Sequence, residues 1–115
     1  YIKAQKIRSL IKSDYVEAFK KVDAILTPST PSTAFEITKE PSDPVQNYLN
    51  DIFTVPVNLA GLPGISIPFA NDENNLPIGL QLITNSFEEQ KLLNVARNIE
   101  ETINYSETPE KWWLK

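Results

Sequence analysis

The stretch NDIFTVPVNLAGLPGISIP, from Asn50 to Pro68, sets a single acid, Asp51, at the head of an uncharged run. Pro56, Gly61, Pro63 and Gly64 interrupt the run too often for one helix, and it is too apolar for a surface loop. It is therefore expected to be buried. A carboxylate beside a buried run is unfavourable without compensation. Asp51 must meet a basic side chain, cap backbone donors, or receive the cationic group of a ligand, and of these the ligand is expected.

Within the run, Val55 to Leu62 reads as a short helix that starts after Thr54, holds Pro56 in its first turn and stops at Gly61. Ile65, Ile67 and Phe69 then alternate with Ser66 and Pro68 as a strand that ends or reaches a sheet edge at Pro68. The polar tip NDENN, Asn71 to Asn75, leads to a second strand, Ile78 to Ile83, and predicts a hairpin or a nearby pairing. Gln81, the polar residue of that second strand, reads as a satisfied core amide. On the other side of Asp51, Ser42 or Asp43 before Pro44 starts a helix with an apolar face of Val45, Tyr48, Leu49 and Ile52. Asp51 lies beside this stripe near the helix end, where the macrodipole disfavours an acid.

Further out, Ala4, Ile7, Ile11, Tyr15, Ala18, Phe19 and Val22 recur at the spacing of a half-buried helix over Ile2 to Val22. Its lysines and Arg8 read as a solvated face rather than an RNA contact, with Glu17 and Lys21 placed to pair. Ala24, Ile25 and Leu26 form a short buried strand stopped by Thr27 and Pro28. The loop from Ser29 to Ser42 is rich in hydroxyls, but no lysine or histidine is spaced to activate one, so turn chemistry accounts for them. Ser86 and Glu89 form a capping box that opens the last helix. Leu92, Val95, Ala96, Ile99 and Ile103 then face the sheet. In the tail, Trp112 and Trp113 are costly to leave in water, and one is expected to pack on this protein or on a partner subunit.

The 115 residues, 41% hydrophobic, allow one small domain with a modest core. With no cysteine and no histidine, thiol nucleophiles, disulfides, the usual zinc ligands and an imidazole base are excluded within the chain. A net charge of -4 argues against a dedicated nucleic-acid surface. No metal-ligand cluster or phosphate-binding loop is present in the sequence, no apolar run is long enough to span a bilayer, and a cytoplasmic setting is the default. The absence of methionine and the uncapped Tyr1 lead to the expectation of a segment from a longer protein, marginal in isolation.

Four blocks add a resemblance: KAQKIRSLIKSD at Lys3 to Asp14, VDAILTPSTPSTAF at Val22 to Phe35, DPVQNYLNDIFTVPVNLAGLPGISIP at Asp43 to Pro68, and LPIGLQLI at Leu76 to Ile83. In this order they resemble the C-terminal quarter of the amidase signature family, specifically its tRNA-dependent branch, the A subunits of glutamyl-tRNA(Gln) and aspartyl-tRNA(Asn) amidotransferases. GLPGISIP recurs across amidases, whereas the longer block from Leu49 to Pro68 is similar to the tRNA-dependent branch. The resemblance implies an α/β fold with a mixed sheet covered by helices on both faces, residues 1–115 being the C-terminal segment of a single amidase domain.

It also implies a glutaminase that hydrolyses the side-chain amide of glutamine and passes ammonia to a second subunit. There ATP and Mg activate the misacylated tRNA, which the B subunit mainly holds; B and C subunits complete a heterotrimer. In this family the nucleophilic serine, a cis-peptide serine and a lysine lie upstream, so no catalytic residue is expected in this chain. Neither Ser66 nor Lys39 replaces them, and the segment alone is expected to be inactive. Asp51 in YLND matches the family's aspartate for the substrate α-amino group, while the carboxylate-binding arginine is upstream. Phe69 and Ala70 stand where cysteine and glycine are common, and Thr84 to Ser86 replace a glycine-containing turn, which changes local loop shape. Two alternatives remain: another amidase signature hydrolase, or a non-catalytic interaction module using Trp112 and Trp113. An organellar source would place the protein in the mitochondrial or plastid matrix.

Overall fold

The computed structural model describes residues 1–35 and 44–105. Its elements are α1 (Ile2–Ala18), β1 (Ile25–Pro28), α2 (Pro44–Asn50), α3 (Val55–Ala60), β2 (Gly64–Asn71), β3 (Pro77–Ile83) and α4 (Glu89–Ile103). The three strands form one sheet in the order β1-β3-β2, and both pairings are antiparallel. On the central strand β3, Leu82 lies opposite Leu26 on one side and Ile65 on the other. Gln81, Leu82, Ile83 and the following Thr84 are all buried, as a strand covered on both faces requires.

Alternation along β3 gives each face its own cover. Ile67 and Leu82 project to the side of α4 and form the core with Leu92 and Ala96, with Ala24, Ile65, Val95 and Ile99 packed around them. Gln81 projects to the other side and donates to the Phe53 carbonyl, in the turn before α3. The same face is closed by Val57, whose Cγ1 would stand 3.5 Å from a Cβ at Gly64. The expected α/β layering, with helices on both faces, is therefore present. The parallel component of the expected mixed sheet is absent among the described residues, because the short tip before Pro77 makes β2 and β3 a hairpin.

α3 matches its expected punctuation: Thr54 is the N-cap, proline occupies the first turn, and Gly61 ends the helix at φ 69°. Only a residue without a Cβ takes that left-handed conformation freely. Pro68 does not end its strand. β2 continues to Asn71, and the register shifts between Pro68 and Ala70, so that Phe69 sits in a bulge. A proline is tolerated at a bulge and at the edge of a sheet, and Pro68 has both in the described sheet.

Other elements differ from their sequence reading. α1 has no buried residue: Ile11, Tyr15, Ala18 and Phe19 are partly covered, while Ala4 and Ile7 are exposed. It leans on α3, where Arg8 Nε donates to the Leu59 carbonyl at 2.7 Å and satisfies a group that the end of α3 leaves unpaired. Because α1 stops at Ala18, Glu17 pairs with Lys20 at 2.6 Å rather than with Lys21. Val45, Tyr48, Leu49 and Ile52, the apolar face read for α2, are exposed. The strand β1 is also only half-buried, with Leu26 exposed at the edge.

The capping box does not form. α4 begins at Glu89 with Glu88 as an N-cap lacking a side-chain bond, because Phe87 at φ 63° breaks the helical path between Ser86 and Glu89. In its place Asn85 Oδ1 accepts from the Ser86 amide, and Thr84 Oγ1 donates to the Glu88 carbonyl. Trp112, Trp113, Lys39 and the Ser42–Asp43 helix start lie outside the described residues.

Candidate functional site

Asp51 follows the last residue of α2 and opens the turn into α3. Its amide donates to the Tyr48 carbonyl at 3.3 Å. Its own carbonyl accepts from the amides of Thr54 at 3.1 Å and Val55 at 3.0 Å. These bonds hold the backbone of Asp51 between two helices, and the side chain is exposed. Its carboxylate forms no ion pair among the described residues. Arg8, the α1 residue that reaches α3, binds the Leu59 carbonyl instead.

Asp51 borders a cleft of about 600 Å³ that is also lined by Ile11, Tyr48, Ile52, Val55, Pro56 and Leu59. Asp51 is the single charged group in that lining, and aliphatic side chains make up most of the rest. Such a wall favours a ligand with a cationic head, because few protein dipoles compete for the carboxylate. Among the described residues, no basic neighbour pairs with the carboxylate and it caps no helix.

Of the described hydroxyls in the Ser29–Ser42 loop, Thr30 makes the local bond expected of a turn group, whereas Ser29 and Thr33 bond residues remote in sequence. Thr30 Oγ1 donates to the Ser32 carbonyl, and Thr33 Oγ1 donates to Asp72 Oδ2. The Oγ atoms of Ser29 and Ser66 lie 2.7 Å apart over Gly79, with no lysine bonded to either among the described residues. No group of three or more Asp, Glu, His or Cys residues lies together to hold a metal among the described residues. Nor is any described helix long and apolar enough to cross a membrane.

Two anchors escaped the sequence reading. Asp72 gathers the amides of Asn74 and Leu76 and the Thr33 hydroxyl, tying the hairpin tip to the loop after β1. The Leu76 amide first, and then the Thr33 hydroxyl, hold the Asp72 carboxyl below the usual carboxylate range. An aspartate at the start of a polar tip is a visible Asx-turn signal, but Thr33 is remote in sequence. Arg8 to Leu59 is the other, and nothing local announces it.

Comparison with known proteins supplies the setting. The chain is 60% identical over 115 residues to the A subunit of glutamyl-tRNA(Gln) amidotransferase from Pelagibacter ubique, covering 100% of this chain and 24% of that protein. It superposes on the crystal structure of the A subunit of the same amidotransferase from Thermotoga maritima with a TM-score of 0.84 and 48% identity, over 91% of this chain and 23% of that one. An amidase crystal structure matches with a TM-score of 0.79 and 28% identity, over 89% of this chain and 24% of the other. The chain thus spans about a quarter of the length of the relatives it matches. The amidase family model covers residues 1–93, and the chain belongs to that family.

Proposed function

We propose that this chain is the C-terminal segment of the glutaminase subunit of a tRNA-dependent amidotransferase, and that Asp51 holds the α-ammonium of glutamine. The observation that supports the activity is the 60% identity, over every residue of the chain, to a protein of that name. The cleft supports the role of Asp51: its carboxylate is unpaired among the described residues and is bordered by Ile11, Ile52, Val55 and Leu59. An ammonium placed there makes charge-assisted hydrogen bonds worth roughly 1.5–3 kcal/mol. That contact orients the side-chain amide toward a serine nucleophile supplied by the rest of the subunit.

The serine, the cis-peptide serine and the lysine of the reaction belong to the upstream part of the amidase domain, and the segment alone is inactive. Released ammonia passes to a B subunit, where ATP and Mg activate glutamyl-tRNA(Gln), and a C subunit completes the cytoplasmic heterotrimer. A second reading, hydrolysis of a different amide, has support from the 28% identity to an amidase structure. The two separate in an assay of the complete subunit with its partners. Glutamine hydrolysis stimulated by misacylated tRNA is expected; activity on simple amides with none on glutamine would overturn the proposal.

A further inference from the structure

Gln81 sits in the central strand β3 and is 7% exposed. Its amide nitrogen donates to the Phe53 carbonyl at 2.9 Å and to Thr27 Oγ1 at 3.1 Å. Phe53 belongs to the same turn as Asp51, and that turn is internally closed by the Thr54 and Val55 amides on the Asp51 carbonyl. One buried amide therefore joins the most deeply covered strand to the backbone that presents the candidate ammonium site.

We infer that Gln81 is a positioning residue for Asp51: it fixes the turn against the sheet and so sets the preference for amides that bear a free ammonium. This rests on the reading of Asp51 given above. A leucine at this position fills the same space but leaves the Phe53 carbonyl and Thr27 Oγ1 without that donor. The Asp51 turn then loses its tie to β3, and displacement of a positioning group by about 1 Å costs on the order of a hundredfold in the most sensitive cases. Thr27 orients the amide from the edge strand and is part of the same arrangement.

The test uses the complete subunit in its complex, with glutamine and with glutaramate, which lacks the α-amino group. Gln81→Leu is expected to raise the glutamine KM about tenfold with kcat within about twofold, by the misplacement argument. The preference for glutamine over glutaramate falls by the same factor, and the substitution adds no further loss in an Asp51→Asn background. If Gln81→Leu does not fold, Gln81→Asn serves, since its shorter amide falls short of Phe53; the same split between KM and kcat is expected. Equal losses on both substrates, or an unchanged glutamine KM in a folded variant while Asp51→Asn raises it, overturn the role of Gln81. An unchanged glutamine KM in Asp51→Asn overturns the ammonium site itself.

Discussion

At the residue scale, the proposed function rests on Asp51 and Gln81, and the packing of β3 rests on Gly79. Asp51 borders a cleft, Gln81 faces the Asp51 turn, and Gly79 makes room for two hydroxyls. A Cβ at Gly79 would stand 2.7 Å from Ser66 Oγ and 2.9 Å from Ser29 Oγ. Gly79→Ala is therefore expected to destabilise the complete subunit by about 1–3 kcal/mol, the usual range for overpacking. Removing both hydroxyls with Ser29→Ala and Ser66→Ala recovers most of that loss in chemical denaturation; no recovery would show that the hydroxyls are not the obstacle. Asp72 gives a pH prediction. Its folded pKa lies below that of an unfolded aspartate, near 3.9, so its contribution is complete above about pH 4 and is lost as pH falls through the folded value. Protection of the Asn74 and Leu76 amides against hydrogen exchange, corrected for intrinsic rate, should fall with acid over that window. In Asp72→Asn the acid dependence should vanish, and an identical acid profile in the variant would contradict the assignment.

At the element scale, burial and local order separate what is legible in sequence from what is not. α3 could be placed from Thr54, Pro56 and Gly61, because helix starts and stops depend on the backbone preferences of the residues themselves. The β2–β3 hairpin and the inner face of α4 were equally readable, since alternation and helical spacing are local patterns. The Ser86–Glu89 box was misleading: Phe87 in the left-handed region diverts the chain, a preference that its side chain does not advertise. Pro68 was read as a strand end or a sheet edge, and it lies on the edge strand, which continues past it through a bulge. The α4 contact has a measurable weight. Leu92, 5% exposed and packed with Ile67 and Leu82, should cost about 2–5 kcal/mol when changed to alanine. Leu93, 54% exposed, should cost less than about 0.5 kcal/mol. Similar losses at the two positions would refute the packing described for this helix.

At the scale of the whole molecule, the segment places a three-stranded sheet between α4 and the α2–α3 turn, and it carries one candidate contact of a larger site. The stripe of Val45, Tyr48, Leu49 and Ile52 was read as an apolar face, and it is exposed. Periodicity marks a face as apolar but does not say which segment covers it. The same limit applied to Asp51. Its oddity as an acid beside an apolar run was visible in sequence, whereas its cleft required α1 and the α2–α3 turn to come together. The chemistry that Asp51 serves in the proposal is completed by groups outside these residues, so its role has to be measured in the complete subunit. The most direct measurement is the glutamine KM of Asp51→Asn. Loss of a charge-assisted contact worth roughly 1.5–3 kcal/mol predicts an increase of about ten- to a hundredfold, with kcat changed far less. A glutamine KM equal to that of the unaltered subunit would contradict the account.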